Sequence, residues 1–224
     1  MATPLINAQG VTRRAEDGAL LLDSVSLAVA SGQRWAVTGP SGSGKSLLLR
    51  SIALLDPISA GAILWQGKPV GDHGVPAYRA QVVYVHQRPA LLPGTVERNL
   101  RLPFELDLRS SRAYDRNRVL TFLEHLERDE RFLDRETGNL SGGELQIVAL
   151  LRAVQLDPLV LLLDEPTAAL DSVAVAALET LVEDWFTASP DERAIVWISH
   201  SAEQRERVAD CHLRLRGGKL EAGP

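Results

Sequence analysis

The segment Gly39-Pro40-Ser41-Gly42-Ser43-Gly44-Lys45-Ser46 fits the pattern G-x-x-x-x-G-K-[ST]. In this pattern, glycines let backbone amides approach the phosphates of a nucleoside triphosphate. The strand-like run 34–38 comes before it and the helix-like run 47–53 follows, which is the context that the pattern requires. We therefore expect a phosphate-binding loop. The alternative is a surface turn rich in glycine and serine.

Two side chains at the end of this loop can bind the phosphates and their metal ion. Lys45 supplies a point charge for the β- and γ-phosphates, and the hydroxyl of Ser46 can ligate Mg²⁺. The helix that follows directs its positive end towards the anion. We expect nucleotide contacts along the loop and at the first helical residues, namely Gly39, Pro40, Ser41, Gly42, Ser43, Gly44, Lys45, Ser46 and Leu47.

Length, composition and charge limit the classes of protein. A chain of 224 residues with 45% hydrophobic residues suits one large α/β domain or two small lobes. A net charge of −5 argues against a nucleic-acid partner, and the single Cys211 excludes an internal disulfide. The first residues lack the features of a signal peptide, and no run approaches the roughly 18 apolar residues that cross a bilayer. We expect a soluble chain that reaches a membrane only through a partner.

The hydrophobic pattern predicts an α/β fold, a phosphate-loop core with a mostly parallel sheet. The predicted fold also contains an N-terminal antiparallel β subdomain. Residues 88–157 suggest an inserted helical subdomain, with 1–87 and 158–224 forming the nucleotide-binding core. Strands are predicted at 24–29, 34–38, 62–65, 81–85, 159–163, 194–198 and 211–215. Helices are predicted at 47–53, 114–128, 145–156, 172–187 and 203–209.

Polar residues follow several strand-like runs, at the sheet edge where open α/β sheets bind ligands. Asp164 can hold Mg²⁺ together with Ser46, and the adjacent Glu165 can act as general base for the attacking water. His200 can contact the γ-phosphate or that water, and Gln87 offers an amide oxygen to metal or water.

Structural alternatives exist for each of these four residues. Residues 164–166 can start a turn, His200 can cap a helix through its neighbour Ser201, and Gln87 can be loop surface.

A second candidate phosphate site is Ser141-Gly142-Gly143, which precedes a strongly apolar helix. Serine is a preferred N-cap residue, so the segment can be a simple helix cap with a flexible turn. The functional interpretation is that a second copy of the protein presents this helix end to the triphosphate bound at the first copy's loop.

These motifs, together with Leu140–Glu144, Leu159–Pro166 and Ala169-Leu170-Asp171, resemble the ATP-binding subunits of ABC transporters in order and spacing. The resemblance implies a head-to-tail homodimer that closes on two ATP–Mg²⁺, with Ser141 and Gly143 donating across the interface. Asp171 would link the two sites, Glu165 would activate water and His200 would contact the γ-phosphate. The metal would be held by Ser46, Gln87 and Asp164.

The resemblance also implies a partner and a location. Such subunits hydrolyse ATP on the cytoplasmic face of the inner membrane, where they power a separate integral-membrane permease. The permease would contact residues 88–102 and the helical subdomain. Residues 88–100 look most like those of the short FetA-type subunits of metal exporters. The alternative functions are a non-transport ABC ATPase and a regulatory module that only binds nucleotide.

The chain departs from the family pattern in four places. Residues 13–18 contain no aromatic side chain to stack on adenine. Because base stacking contributes about 1–3 kcal/mol, we predict that competition binding will show less than about tenfold preference for ATP over GTP.

The other three departures are single residues. Glu144 stands where glutamine is commoner, Ile147 where a basic residue is usual, and Ser201 where aspartate is usual. None of these removes the loop lysine, the metal ligands or the base, so we still expect hydrolysis.

Overall fold

The computed structural model describes residues 3–105 and 113–221. Within them, ten strands follow the order of the chain. They are β1 Ile6–Arg14, β2 Leu20–Val29, β3 Arg34–Thr38, β4 Ala60–Trp65, β5 Lys68–Pro69, β6 Val82–Val85, β7 Val160–Asp164, β8 Ala194–Ile198, β9 Cys211–Arg216 and β10 Lys219–Glu221.

Seven α-helices lie between these strands in the described ranges. They are α1 Lys45–Ile52, α2 Val75–Gln81, α3 Val96–Arg101, α4 Arg116–His125, α5 Gly142–Val154, α6 Ser172–Thr187 and α7 Ala202–Val208. Short 3₁₀ turns occur at Asp72–Gly74, Leu102–Glu105, Glu130–Asp134 and Thr137–Asn139.

The described residues form two compact units. The first contains residues 3–84, 159–164 and 189–221, and the second contains residues 85–105, 113–158 and 165–188. The division predicted from the sequence, with a helical subdomain at 88–157, stays a prediction. Residues 106–112 of that predicted subdomain lie outside the described residues.

Two sheets make up the β structure. The six-stranded sheet has the order β10-β9-β3-β8-β7-β6, and β3 pairs in parallel with both β8 and β9. Strands β7 and β8 are also parallel, whereas β9 and β10 are antiparallel. The four-stranded sheet β2-β1-β4-β5 is antiparallel. The predicted α/β fold, with an antiparallel sheet beside a mostly parallel one, is confirmed.

Burial follows the sequence pattern strand by strand. Every residue of β7 and β8 is buried, as a continuous apolar run in a central parallel strand requires. In the second half of β2 the exposed Ser24, Ser26 and Ala28 alternate with buried valine and leucine residues. Helix α1 buries Leu48, Leu49 and Ile52 completely, which fixes the start of that helix beside the parallel sheet.

In the second unit, α5 is the most deeply buried helix among the described elements, and nine of its thirteen residues are buried. Ile147, at the position where the resemblance leads us to expect a basic residue, is 1% exposed. An apolar side chain therefore suits this position, because a buried charge without a partner is costly.

Candidate nucleotide-binding site

The loop at 39–46 is built so that glycine is required at its first position. Gly39 has φ +143°, and a Cβ there would lie 2.0 Å from the backbone oxygen of Leu215 in β9. The backbone of this loop therefore packs directly against a neighbouring strand end. No other residue type fits that approach without moving main-chain atoms.

The first turn of α1 is open to an anion. Gly44 is its N-cap residue, no side chain of the described chain caps it, and the first turn contains no acidic residue. The amides of this turn have no partner within the helix. The ammonium of Lys45 donates to the backbone oxygens of Gly39 (2.9 Å) and Pro40 (3.0 Å), so the cation lies against the loop. Positive charge and unpaired amides meet here, which is the chemistry of a phosphate site.

Two oxygen groups suited to a divalent cation meet at the start of α1. The hydroxyl of Ser46 donates to Oδ1 of Asp164 at 3.0 Å, and Asp164 is 2% exposed at the end of β7. Hydroxyl and carboxylate oxygens are the ligands that Mg²⁺ prefers. The pair therefore fits the metal expected from the sequence.

A third group in this cluster was not predicted. The hydroxyl of Tyr84, on the neighbouring strand β6, donates to Oδ2 of Asp164 at 2.6 Å. Burial, followed by the hydrogen bond to Asp164, raises the pKa of Tyr84 far above its usual range. The phenol therefore remains a protonated donor. The sequence signal is a phenol near the end of the strand predicted at 81–85.

Gln87 and Glu165 lie together in the second unit. The amide of Gln87 donates to Oε2 of Glu165 at 2.7 Å, and Glu165 has φ +47°. This left-handed conformation is uncommon for a residue with a Cβ, and such residues cluster at functional sites.

Gln146 fixes the backbone around this pair. Its Nε2 donates to the backbone oxygens of Gln87 (3.1 Å) and Glu165 (3.3 Å), and its Oε1 accepts from the amide of Ala169 (3.2 Å). Gln146 is 3% exposed. Sequence reasoning missed it, because its position in an apolar helix shows nothing about these three contacts with residues far along the chain.

His200 is exposed and directly follows the buried end of β8 and Ser199. Its backbone oxygen accepts from the guanidinium of Arg205 at 3.3 Å. Ser201 caps α7, since its hydroxyl accepts from the amide of Gln204 at 3.2 Å. The structural alternative is therefore observed for Ser201, and the contact of His200 with a γ-phosphate stays a prediction.

The segment at 141–143 forms a complete helix cap. The hydroxyl of Ser141 accepts from the amide of Glu144 (3.2 Å), and Glu144 accepts from the amide of Ser141 (2.8 Å). Arg135 pairs with the same carboxylate. Burial would raise the pKa of Glu144, but the hydrogen bonds from Ser141 and Arg135 outweigh burial and lower it.

The helix cap packs closely on the segment that leads to Asp171. A Cβ on Gly143 would lie 2.8 Å from the backbone oxygen of Ala169, whereas one on Gly142 would meet only the Cβ of Ala169 at 3.6 Å. Asp171 caps α6 by accepting from the amide of Ala174 at 2.9 Å. The segment at 141–143 and Asp171 therefore belong to one packed region of the second unit.

Comparison with known proteins decides the family. The family model described as ABC transporter matches residues 22–168. The chain belongs to the ABC transporter family. It is therefore an ATP-binding subunit and an ATPase, as the relatives below are, and subunits of this family dimerise and work with membrane permeases. The resemblance stated from the sequence motifs is confirmed.

Relatives of this ABC transporter chain include both exporters and importers. This chain is 34% identical over 202 residues to the probable iron export ATP-binding protein FetA of Escherichia coli (strain K12). The match covers 90% of this chain and 87% of FetA. It is 37% identical over 206 residues to the sulfate/thiosulfate import ATP-binding protein CysA of Bordetella bronchiseptica. That match covers 89% of this chain but 56% of CysA, so the chain spans little more than half of that relative.

A solved structure matches the ABC transporter chain over nearly its full length. It is a dimeric ATP-binding cassette in a post-hydrolysis state bound to ADP and Pi. The TM-score is 0.85 at 28% identity, and 97% of each chain is covered. In the part of our chain that the structure describes, no helix combines the length and the apolar character needed to span a bilayer.

Proposed function

We propose that the chain hydrolyses ATP as one half of a head-to-tail homodimer that drives a separate membrane permease. The observation that carries this proposal is the hydrogen bond between Ser46 and the buried Asp164, beside a helix whose first turn is open to phosphate. An anion site and a divalent-cation site therefore meet at the start of α1, as ATP–Mg²⁺ requires.

The phosphates would be bound by residues 39–47 and the ammonium of Lys45. Mg²⁺ would be held by Ser46 and Asp164, with Gln87 as a further oxygen ligand. When bound, this ion would neutralise charge on the phosphate oxygens. The chain's own part is to hold the hydroxyl of the half-buried Ser46 3.0 Å from the buried carboxylate of Asp164 before the nucleotide arrives.

Glu165 would accept the proton of the attacking water. Its carboxylate is oriented by the amide of Gln87, and Gln146 holds the backbone of both residues. His200 would donate to the γ-phosphate. A base held in place by hydrogen bonds loses less freedom when the water binds, which is why these contacts favour the assignment.

The helix cap at Ser141 is compatible with a role in the partner copy. Its hydroxyl oxygen accepts from the amide of Glu144, but the hydroxyl proton can still donate to a phosphate. Gly143 would offer a backbone amide, and Asp171 would connect the two sites of the dimer. Glu144 places a negative charge near this helix end, and its pairing with Arg135 offsets that charge.

The permease would contact residues 88–102 and the helical subdomain on the cytoplasmic face of the inner membrane. Leu92 in this segment is 52% exposed and offers an apolar side chain that such a partner would cover. The transported substrate and the direction are properties of the permease pathway.

Substitution Glu165→Gln tests the proposal. We expect ATP turnover to fall by about 10²–10⁴-fold, because a general base contributes that much, while ATP binding persists. Light scattering with ATP should show two copies associating. Glu124→Gln, on the exposed face of α4, is the matched control and should hydrolyse ATP normally. Unchanged turnover in Glu165→Gln would contradict the assigned mechanism.

A further inference from the structure

We propose that Tyr84 is a positioning residue for the metal site, which holds the carboxylate of Asp164 in the orientation that binds the cation of the nucleotide. This inference rests on the proposed function, since Tyr84 would orient Asp164, one of the metal ligands proposed there. The role is not among those that the sequence motifs suggest, because Tyr84 lies three positions before Gln87 in a strand-like run.

The two oxygens of Asp164 have different donors. Oδ1 accepts from Ser46 at 3.0 Å and Oδ2 accepts from Tyr84 at 2.6 Å. Asp164 is 2% exposed, so its carboxylate depends on protein donors in place of water. Tyr84 and Asp164 stand near the ends of neighbouring strands β6 and β7, and both ends of the hydrogen bond are therefore held by the sheet.

The hydrogen bond from Tyr84 selects one carboxylate orientation. The terminal torsion of an aspartate is broad and roughly two-fold, so the carboxylate of Asp164 would otherwise rotate. With Oδ2 engaged by the phenol, Oδ1 is directed to Ser46, which is the other proposed metal ligand. Hydrogen bonds of this kind behind a metal ligand typically change metal affinity by about 10–100-fold.

A purely structural role is the competing explanation, and the chain contains a control for it. Tyr78 is 2% exposed and donates to the backbone oxygen of Ile52, also at 2.6 Å. Tyr78→Phe removes the same atom and a hydrogen bond of the same length in the same unit, but it does not touch Asp164. The two substitutions therefore separate loss of a buried hydrogen bond from loss of metal positioning.

The experiment measures metal binding without catalysis. Mn²⁺ is titrated into the full chain with a non-hydrolysable ATP analogue, and free Mn²⁺ is followed by electron paramagnetic resonance. For Tyr84→Phe we expect the dissociation constant of Mn²⁺ to rise roughly tenfold, with nucleotide affinity in EDTA unchanged. For Tyr78→Phe we expect the wild-type constant. In ATPase assays, Tyr84→Phe should need more Mg²⁺ for half-maximal rate and reach nearly the wild-type kcat at saturating Mg²⁺.

The outcomes distinguish this inference from the proposed function. If Ser46→Ala weakens Mn²⁺ binding but Tyr84→Phe does not, the role of Tyr84 is wrong and the metal site stands. If Tyr84→Phe and Tyr78→Phe weaken it equally, the hydrogen bond of Tyr84 is structural and the inference is overturned. If Ser46→Ala also leaves Mn²⁺ binding unchanged, the metal site itself is wrong and the inference falls with it.

Discussion

Helices α1 and α5 both begin at a glycine-containing segment, but their first turns are satisfied in opposite ways. At α1 no side chain of the described residues caps the helix, and the adjacent charge is the ammonium of Lys45. At α5 the hydroxyl of Ser141 and the carboxylate of Glu144 form a reciprocal cap, which Arg135 supports. The first turn of α1 therefore needs a ligand to satisfy it, whereas at α5 the chain itself satisfies the amides of Ser141 and Glu144.

Because of this difference, the two helix ends can contact the same nucleotide in different ways. An open helix end gains most of its hydrogen bonds from the bound phosphate, so it should determine affinity. A capped end keeps its shape without nucleotide and can be presented ready-made by a second copy. The loop should therefore control binding, and the cap should control stability and turnover.

Substitution should have its strongest effects at two closely packed glycines, one near the start of each helix. Gly39→Ala should destabilise the fold by about 3–5 kcal/mol for two reasons. The new Cβ would clash with the backbone oxygen of Leu215, and alanine is strained at a positive φ. It should also reduce ATP binding below detection. Gly143→Ala should cost about 1–3 kcal/mol, since its Cβ would be 2.8 Å from a carbonyl oxygen but without that strain. Denaturant unfolding and equilibrium ATP binding measure both, and the reverse order of effects would contradict the comparison.

The second-largest effect concerns the ammonium group of Lys45 in the phosphate-binding loop. Lys45→Met should weaken ATP binding by about 2–3 kcal/mol, or roughly a hundredfold, because it removes charge-assisted hydrogen bonds and keeps most of the side-chain stem. Lys219→Met is the control, since Lys219 pairs with Asp23 on the surface of the same unit. Isothermal titration with ATP is the measurement. Equal losses in the two variants would show that the loop lysine has no special role.

The helix cap should affect turnover more than affinity. Ser141→Ala should lower the free energy of unfolding by about 1 kcal/mol and reduce ATP turnover, while ATP binding to the isolated chain stays unchanged. Asp115→Ala removes the N-cap of α4 in the same unit and should lower stability similarly without affecting turnover. Normal turnover in Ser141→Ala would leave the cap as a structural feature alone.

The smallest effect is the pH dependence of the Glu144 cap. The folded-state pKa of Glu144 lies below its ordinary value of 4.5, so its stabilising contribution is complete above that value and is lost as the pH falls through the folded pKa. Glu144→Gln should be less stable than the wild type by under about 1 kcal/mol at neutral pH. Unfolding curves of the two chains should converge as the pH falls below the folded-state pKa of Glu144, and a difference that persists there would exclude the carboxylate as its cause.

The sequence predicted the helices and strands whose hydrophobic residues recur with a clear period. Strand β8 and helix α6 have the predicted bounds, because buried strands and capped amphipathic helices carry their own periodicity. Helix α3 was absent from the prediction, since its six residues are too few to show a period. Helix α2 was missed likewise, and its sequence begins with a valine–proline pair that resembles a loop.

In the candidate site, the motif residues were predictable and their supports were not. Asp164 stands out because it ends an apolar run, and Ser46 because it completes the loop pattern. Tyr84 and Gln146 act through partners 80 and 59 residues away along the chain. Such contacts follow from the pairing of distant strands and helices, which no single window of sequence shows.

The most direct test of the account is the structure of Glu165→Gln bound to ATP–Mg²⁺. We predict two copies arranged head to tail, with the hydroxyl of Ser141 and the amide of Gly143 from one copy at hydrogen-bonding distance from the γ-phosphate on the other copy's loop. If the helix cap at Ser141 lies far from every triphosphate in that complex, the proposed ATP-driven dimer is wrong.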